Sequence, residues 1–435
     1  MKTLGWPGIL RLGLVQMALG SIVVLATATL NRVMVVELAL PAVLPGFLVA
    51  LYQGSQMSRP LFGHSADQHA RRTPWILGGL AVLITGGICA ALSVVLMETR
   101  LGLGIAAAIL SFIAIGAGIG AAGTNLLALL AARVSDDRKA AAGSAVWIMM
   151  IFGLAATGIG AGANLDPYTH TRLVAVTCSV GAIAMLLGII GTWGIERGAI
   201  APPQTNEKPD FMAAVREVWE DRSARVFAVF VFTAMVAYNT QDLILEPYAG
   251  HVFGMTPGES TQLGGMHHGG ALLGMILVLL AGTALKRWIN LPVNTWVVGG
   301  CAASGFALIA LGFGGQQNAD WPIAPNVFLL GFSNGVFAVA AIGAMMVLAT
   351  GGTSAREGMR MGVFGAAQAI AFAIGSFAGT VAVDIMRALT PDLALAYGTV
   401  FIGEGLIFLL SAAHAARISF SAEAPLPSSL TVPGE

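Results

Sequence analysis

Ionisable side chains stand inside long apolar stretches of this sequence, where charge is costly to hold. They include Arg32 and Glu37 near the start of the chain, and Asp242 and Glu246 near its middle, with the amide Gln241 beside them. Such groups within a membrane are rare and mark substrate or ion pathways. We expect these residues to pair, to gate a cavity or to face a polar ligand. The alternative is that they lie among lipid headgroups and are simply hydrated.

Three further ionisable residues interrupt apolar stretches: Arg59, Asp384 and Glu404. We place Arg59 in the same cavity or gating set, because it lies late in the second apolar stretch. Amides such as Gln241 can line a cavity or form hydrogen bonds between helices, and the second role is the commoner one.

Two adjacent histidines, His267 and His268, lie among four glycines in the segment Gly264–Gly270. A neutral imidazole is a good axial ligand for a metal held in a flat macrocycle, and small neighbours leave room for such a ring. This makes the two histidines candidate ligands of a metal-containing pigment. The same glycines are equally expected if they serve close helix packing.

A polar loop with the sequence GHSADQHARR begins at Gly63. It resembles the signature loop of the major facilitator superfamily, which has an aspartate and two arginines at the positions of Asp67, Arg71 and Arg72. The family's usual glycine before the basic pair is Ala70 here. The motif reports fold and gating rather than substrate. Its alternative interpretation is a solvated cluster of charges that favours the cytoplasmic side.

Several kinds of catalytic site are absent from the sequence. It contains no G-x-x-x-x-G-K-[ST] phosphate loop, no H-E-x-x-H and no C-x-x-C motif. Cys89, Cys178 and Cys301 lie far apart in apolar runs and resemble small core residues. The net charge of +0 argues against a nucleic-acid partner. We therefore expect neither an enzyme nor a metal site, and no covalently bound cofactor.

The elements that carry these residues must be membrane helices. The chain has 435 residues, of which 56% are hydrophobic and 10% charged, and a mean hydropathy of +0.81. Soluble domains have about 25% charged residues, and a helix needs about 20 apolar residues to cross a bilayer. The sequence predicts an all-α polytopic protein with about twelve spans, at 12–36, 43–63, 75–97, 103–132, 140–163, 172–195, 225–248, 260–285, 294–314, 323–349, 361–387 and 393–416.

Lysine and arginine predict the orientation of these spans. If the N-terminus is cytoplasmic, eighteen of the 22 basic residues fall on the cytoplasmic side. The four at outer ends are Arg32, Arg100, Arg172 and Arg387. This asymmetry follows the positive-inside rule, so we expect an inner-membrane protein with both termini in the cytoplasm.

The longest polar connection lies at the middle of the chain and divides it into two predicted six-helix halves, 1–195 and 225–416. The linker 196–224 is predicted to carry an interfacial helix, although a plain linker is as good an interpretation, and the tail 417–435 is predicted to be disordered. The halves resemble repeats at an offset of 219 residues. At this offset the small-residue pair Ala156 and Gly160 corresponds to Gly375 and Gly379. Such pairs let helices approach closely in lipid, and parallel six-helix repeats are typical of the major-facilitator fold.

Three phrases are more specific than the general fold. They are NRVMVVEL at 31–38, SQMSRPLFGHSAD at 55–67 and QDLILEPY at 241–248, and RRTP at 71–74 fits with them. They resemble the PucC/LhaA family, the bacteriochlorophyll-delivery branch of the major facilitators, over nearly the whole chain. One branch of similar size is named as a chain of bacteriochlorophyll synthase, and the short termini fit that branch. The name implies enzymology that these residues do not support.

The resemblance implies a carrier or assembly factor that handles bacteriochlorophyll as a ligand. Its implied partners are the lipid bilayer, light-harvesting or reaction-centre polypeptides, and the pigment synthase. Two alternatives stay open: a proton-coupled secondary transporter of a small solute, which would use Asp242 or Glu246, and a non-catalytic scaffold for the pigment-synthesising enzymes. The first predicts proton flux, and the second predicts co-purification with the synthase.

Overall fold

The computed structural model describes residues 4–56, 71–135, 138–196, 220, 222–285, 287–288, 291–350 and 357–417. Arg59, Gly63 and Asp67 lie outside these ranges, as do the predicted interfacial helix of the linker and all of the predicted tail after residue 417. Twelve helices longer than ten residues run through the described ranges, and no strand occurs there. They are α1 (Trp6–Glu37), α2 (Val43–Ser55), α3 (Thr73–Thr99), α4 (Leu101–Arg133), α5 (Lys139–Leu165), α6 (His170–Thr192), α7 (Arg222–Phe253), α8 (Pro257–Gly282), α9 (Val293–Gly314), α10 (Ile323–Thr350), α11 (Glu357–Leu389) and α12 (Leu393–Ala415).

The predicted polytopic all-α architecture is confirmed. Eleven of the helices contain stretches long and apolar enough to cross a membrane. The remaining helix, α2, has 13 residues up to Ser55 within the described part of the chain. The first predicted span begins too late, because the helix starts at Trp6 rather than at residue 12. The signal was Pro7, since proline in the first turn of a helix lacks only an N–H that would be unpaired there.

Helix α1 departs from α-helical geometry on both sides of Arg32. Leu25–Thr29 and Val33–Glu37 form π-helical turns, which flank three α-helical residues. In the second turn the amide of Leu38 donates to the carbonyl of Val33, five residues earlier, at 3.0 Å. A π-turn places residues five apart on the same face, whereas an α-helix matches residues three and four apart. It therefore aligns Arg32 with Glu37.

Helix α8 begins with a capping box in the sequence TPGE. The amide of Thr256 donates to the carboxylate of Glu259 at 2.9 Å, and the amide of Glu259 donates to the Thr256 hydroxyl at 3.2 Å. Pro257 occupies the first helical position, where its missing N–H costs nothing. Asp166 from the α5–α6 connection adds further acceptors, for the Thr256 hydroxyl at 2.6 Å and the Gly258 amide at 3.2 Å.

The described residues group into two compact units. The first contains those within 1–205 together with Leu243–His268, and the second contains those within 206–242 together with 269–435. In the first unit α3 packs along α4, and α1 packs along α5. In the second unit α9 packs against α10 and α12. The sequence-predicted halves divide the chain differently and stay a prediction.

Glycines allow these helices to pack closely. In the first unit a methyl group at Gly158 of α5 would lie 2.7 Å from the Cα of Gly265 in α8. In the second unit a methyl group at Gly305 would lie 2.8 Å from the carbonyl oxygen of Gly405. Both separations are shorter than carbon–carbon and carbon–oxygen contacts normally reach, so these positions require glycine. This is the small-residue packing typical of membrane helices.

Candidate functional site

Arg32 is the centre of a buried polar cluster in the first unit. The residue is 2% exposed. One guanidinium nitrogen, Nη1, forms an ion pair with the carboxylate of Glu37, and the other, Nη2, donates to the carbonyl oxygen of Met255 at 2.6 Å. A methyl group at Gly250 would lie 3.0 Å from Nη2, so the bare glycine makes room for the guanidinium. The cluster thus joins α1 to the end of α7 and to the segment that follows it.

Two further hydrogen bonds fix this part of α1. The side-chain amide of Asn31 donates to the carbonyl of Leu243 at 2.6 Å, and the hydroxyls of Thr29 and Thr261 lie 3.2 Å apart. All of these residues belong to the first unit. The polar side chains of this part of α1 therefore contact both α7 and α8. These contacts hold Arg32 in a defined position.

Glu246 lies beside Arg32 but is not paired with it. The residue is 2% exposed, and neither carboxylate oxygen has a hydrogen-bond partner within the described ranges. Gly264 of α8 packs directly against Oε1. The positive charge of Arg32 acts on Glu246 through space. The structure thus brings the predicted residues Arg32, Glu37 and Glu246 together, while their role stays a prediction.

An aromatic and acidic group adjoins the cluster at the α5–α6 connection. Burial, followed by the negative charges of Glu37 and Glu98, raises the pKa of Tyr168 to about 12. The Tyr168 and His170 rings meet edge to face at 5.8 Å, and the Nδ1 atom of His170 lies 3.3 Å from the Glu98 carboxylate. This aromatic and acidic group extends the electrostatic environment of Glu37 from α1 to α3 and α6.

The second unit holds its own set of buried polar groups. Gln241 is fully buried, and both atoms of its amide lack a partner among the described residues. Asp242 lies within electrostatic range of Glu404, whose oxygens also lack partners there. Glu404 is 3% exposed. The sequence singled out Gln241, Asp242 and Glu404, and the structure brings Asp242 within electrostatic range of Glu404.

The two histidines of α8 adjoin each other, and the glycines around them are mostly used for packing. His267 is 3% exposed, and its ring centre lies 5.3 Å from that of His268. Gly264 faces Glu246, Gly265 faces the backbone of α5, and Gly270 faces the backbone of α10. Only Gly269 has open space at its Cα. The packing interpretation therefore accounts for three of the four glycines, and ligand binding by the histidines stays a prediction.

The described end of the signature loop is held by a residue that the sequence analysis missed. The amides of Arg72 and Thr73 donate to the two oxygens of Glu196, each at 2.7 Å. A carboxylate is stabilised there by the positive end of the helix dipole of α3. Glu196 follows the sixth apolar stretch directly, and that position was its one signal. Arg71 precedes α3, and the structure shows no more of the loop than Arg71 and Arg72.

An apolar groove runs between α3 and α4 in the first unit. It encloses about 400 Å³. Small residues line most of it, with Trp75 and Pro74 at one end. The lining residues are Pro74, Trp75, Gly78, Gly79, Val82, Ala117, Gly118 and Ala121. Across the described ranges, no group of three or more histidine, cysteine, aspartate or glutamate residues is placed to hold a metal ion.

Comparisons with known proteins agree with this architecture and identify the family. The chain is 48% identical over 417 residues to a protein of Rhodobacter capsulatus named bacteriochlorophyll synthase 44.5 kDa chain, covering 96% of both chains. It is 29% identical to Protein PucC of Cereibacter sphaeroides, covering 89% of this chain and 85% of that protein. A crystal structure of a POT family transporter in complex with a thioalcohol-conjugated peptide matches with a TM-score of 0.71 and 13% identity, covering 95% of this chain and 97% of that one. This last similarity shows the major-facilitator fold alone. The family model described as PUCC protein matches residues 29–422, and the chain therefore belongs to the PUCC protein family.

Proposed function

We propose that this protein is a non-catalytic membrane carrier or assembly factor that handles bacteriochlorophyll for photosynthetic complexes. The observation that carries the proposal is the near full-length similarity to a protein named as a bacteriochlorophyll synthase chain, combined with a transporter fold. Similarity to Protein PucC supports the same pigment system. A fold of this type moves or holds its ligand, and the synthase name then describes an association with pigment synthesis rather than catalysis by this chain.

The chemistry of the pigment fits a membrane-embedded carrier. Bacteriochlorophyll is a large apolar macrocycle with a central Mg²⁺ ion and a long hydrocarbon tail. The groove between α3 and α4 offers an apolar volume of about 400 Å³ bordered by small side chains and Trp75. Because lipid is as apolar as the groove, binding there would gain from close packing rather than from removal of hydrocarbon from water. His267 and His268 do not line this groove, and they are proposed as ligands of the metal at a separate place on α8.

The proposed setting is the inner or photosynthetic membrane, with both termini in the cytoplasm. The distribution of lysine and arginine supports this orientation. The proposed partners are light-harvesting or reaction-centre polypeptides, which would receive the pigment, and the pigment synthase, which would supply it.

A proton-coupled transporter of a small solute is the second candidate. It is favoured by the buried carboxylates Glu246 and Glu404, which lack hydrogen-bond partners in the described part of the chain. Buried ionisable groups in membrane helices are typical of proton pathways. A scaffold for the synthesis enzymes is the third candidate, and it rests on the name of the R. capsulatus relative.

The experiment that separates these candidates compares pigment with antenna in a phototrophic strain that lacks this chain. A carrier or assembly factor predicts that bacteriochlorophyll is still synthesised and extractable, while absorption by assembled antenna falls. Restoring the chain should restore the antenna. Accumulation of the pigment precursor without bacteriochlorophyll would instead assign the protein to synthesis. Normal antenna and normal pigment would contradict both the carrier or assembly factor and a role in synthesis. The solute transporter would then be the candidate that is left.

A further inference from the structure

Glu246, in the first unit, is a buried acid whose charge has no neutralising partner among the described residues. Its carboxylate is 98% buried within α7, and no donor from the described residues reaches either oxygen. An ionised carboxylate without hydrogen bonds in an apolar interior costs several kcal/mol. The group must therefore be neutralised by a proton, by a cation or by a charged side chain.

The neighbouring guanidinium does not neutralise Glu246 in this arrangement. Nη1 of Arg32 is engaged by Glu37, and Nη2 by the Met255 carbonyl at 2.6 Å. The Nε atom of Arg32 has no hydrogen-bond partner among the described residues, Glu246 included. Arg32 is nevertheless close enough for its charge to act on Glu246.

A metal cation is a poor occupant of this position. The positive guanidinium would repel it, and cations such as Ca²⁺ and Mg²⁺ require about six oxygen ligands. Gly264 supplies no side chain, and among the described residues no group of three acidic, histidine or cysteine side chains is placed to hold a metal ion. A proton needs one oxygen and no ligand shell.

We propose that Glu246 is a proton-binding site and that Arg32 exchanges its carboxylate partner when the proton leaves. In the state described here Glu246 carries the proton, and Arg32 pairs with Glu37. On deprotonation the O–H bond of Glu246 breaks, the proton passes to water, and the new carboxylate attracts the guanidinium. Glu37 can then be hydrated, because its side chain is already 35% exposed.

The charged and titratable groups around this site come from several elements. Helix α1 contributes Arg32 and Glu37, and the α5–α6 connection contributes Tyr168, which interacts electrostatically with both. Helix α8 contributes Gly264 at the carboxyl oxygen, and its histidines follow three and four residues later. Arg32 is the one group among them that acts directly on Glu246.

The exchange has a structural consequence within the first unit. Arg32 now ties α1 to the Met255 carbonyl, in the segment between α7 and α8. Movement of the guanidinium toward Glu246 would release that hydrogen bond. Proton loss at Glu246 would therefore loosen the attachment of this segment to α1. This proposal does not depend on pigment binding, so its failure would leave the pigment proposal intact.

Infrared difference spectroscopy of the purified protein tests the site directly. A protonated carboxylic acid has a C=O stretching band that ionised carboxylates lack, and this band shifts in D₂O. At neutral pH, Glu246→Gln should remove one such band, and Glu37→Gln should weaken the same band, because Arg32 loses Glu37 as its partner and can pair with the Glu246 carboxylate. Retention of every protonated-carboxyl band in Glu246→Gln would overturn the proposal, as would an unchanged band in Glu37→Gln.

A second variant keeps the test valid if Glu246→Gln does not fold. Gly264→Ala adds a methyl group against Oε1 of Glu246 and leaves the carboxyl group in place. It should shift the frequency of the assigned band and of no other. A spectrum identical to that of the wild-type protein would show that the protonated acid is not Glu246 and would overturn the proposal.

Discussion

At the scale of single residues, Arg32 shows how this protein accommodates a charged side chain in an apolar helix. The guanidinium is almost fully buried, and it is matched by one carboxylate and one backbone carbonyl. Glu246, on α7, is buried without such partners in the described part of the chain. The difference lies in geometry, since the π-turn of α1 brings Glu37 rather than Glu246 within reach.

Substitution of Glu37 should be more costly than substitution of Asp384, an acid whose arginine partner is more exposed than Arg32. We expect Glu37→Gln to lower the free energy of unfolding by about 3 kcal/mol, since it removes the carboxylate that pairs with a buried guanidinium. The control is Asp384→Asn, which breaks a partly exposed pair with Arg387 at 3.6 Å and should cost less than about 1 kcal/mol. Thermal unfolding in mild detergent measures both. Equal costs would mean that the Arg32–Glu37 pair is no stronger than a pair with a partly exposed arginine.

The raised pKa of Tyr168 predicts a loss of stability in alkaline solution. The pKa of Tyr168 is raised from 10.0 to about 12 in the folded protein. The folded state thus holds its phenol proton more tightly than the unfolded state does. The resulting stabilisation is fully present below pH 10 and is lost as the pH rises toward about 12.

The measurement for Tyr168 is the melting temperature at pH 9 and pH 11 for the wild-type protein and for Tyr168→Phe. The wild-type protein should lose more stability between the two conditions than the variant, because phenylalanine does not ionise. An identical loss in both proteins would show that Tyr168 does not titrate as its surroundings imply.

The sequence singled out residues that the structure brings together in the first unit, but it did not predict how they are joined. Arg32, Glu37 and Glu246 stand out because charge is rare in apolar helices. The π-turn that aligns Arg32 with Glu37 leaves no such mark, since it is a choice of backbone hydrogen bonds. The Met255 carbonyl is invisible for the same reason, because every residue has one. Glu196 and Asp166 were missed because they lie in short connections, where acidic residues are common.

At the scale of helices, α5 and α8 depend on glycines whose register the sequence did not give correctly. The repeat predicted close approach at Ala156 and Gly160 and at Gly375 and Gly379. The second pair does pack closely, against Val236 and Thr240 of α7, but Gly160 has no neighbour within 4 Å of an added methyl group. The contact is made by Gly158 and Gly162, against Gly265 and Gly258. The rotation of a helix is set by all of its neighbours at once, so a small-residue pattern alone leaves it undetermined.

Alanine substitutions at Gly158 and Gly160 of α5 should therefore have opposite effects on stability. Gly158→Ala should destabilise the protein by about 1–3 kcal/mol, because the methyl group meets the backbone of α8. Gly160→Ala should stabilise it by up to about 1 kcal/mol, because the position is open and alanine is the better helix former. Thermal unfolding of the two variants under the same conditions checks both signs. A stabilising Gly158→Ala would contradict the close packing of α5 on α8.

The groove between α3 and α4 can be tested with a similar matched pair. Gly78 lines the groove and Gly299 lies on α9, and both have open space around their Cα atoms. If the groove holds pigment, Gly78→Leu should weaken pigment binding about tenfold, which corresponds to about 1.4 kcal/mol of steric cost. Gly299→Leu should leave binding unchanged. Pigment titration of the two purified variants provides the comparison, and equal affinities would exclude the groove as the binding site.

At the scale of the whole molecule, composition was sufficient to predict the fold class. A chain with 10% charged residues cannot form a soluble domain of this size, and the apolar stretches correspond to eleven membrane-length helices in the described ranges. Function was less accessible, because one fold carries many different ligands. The step from major facilitator to pigment handling came from three short phrases, at 31–38, 55–67 and 241–248, and the family match now supports it.

The measurement that tests the pigment proposal most directly is the absorption spectrum of this protein, purified in mild detergent from a membrane that makes bacteriochlorophyll. We predict a near-infrared band in stoichiometric amount, which shifts or disappears when His267 and His268 are both changed to alanine. A band that survives this change would keep the carrier and remove the histidines as ligands. Absence of any band, with antenna polypeptides or the pigment synthase co-purifying instead, would contradict the carrier and favour the scaffold.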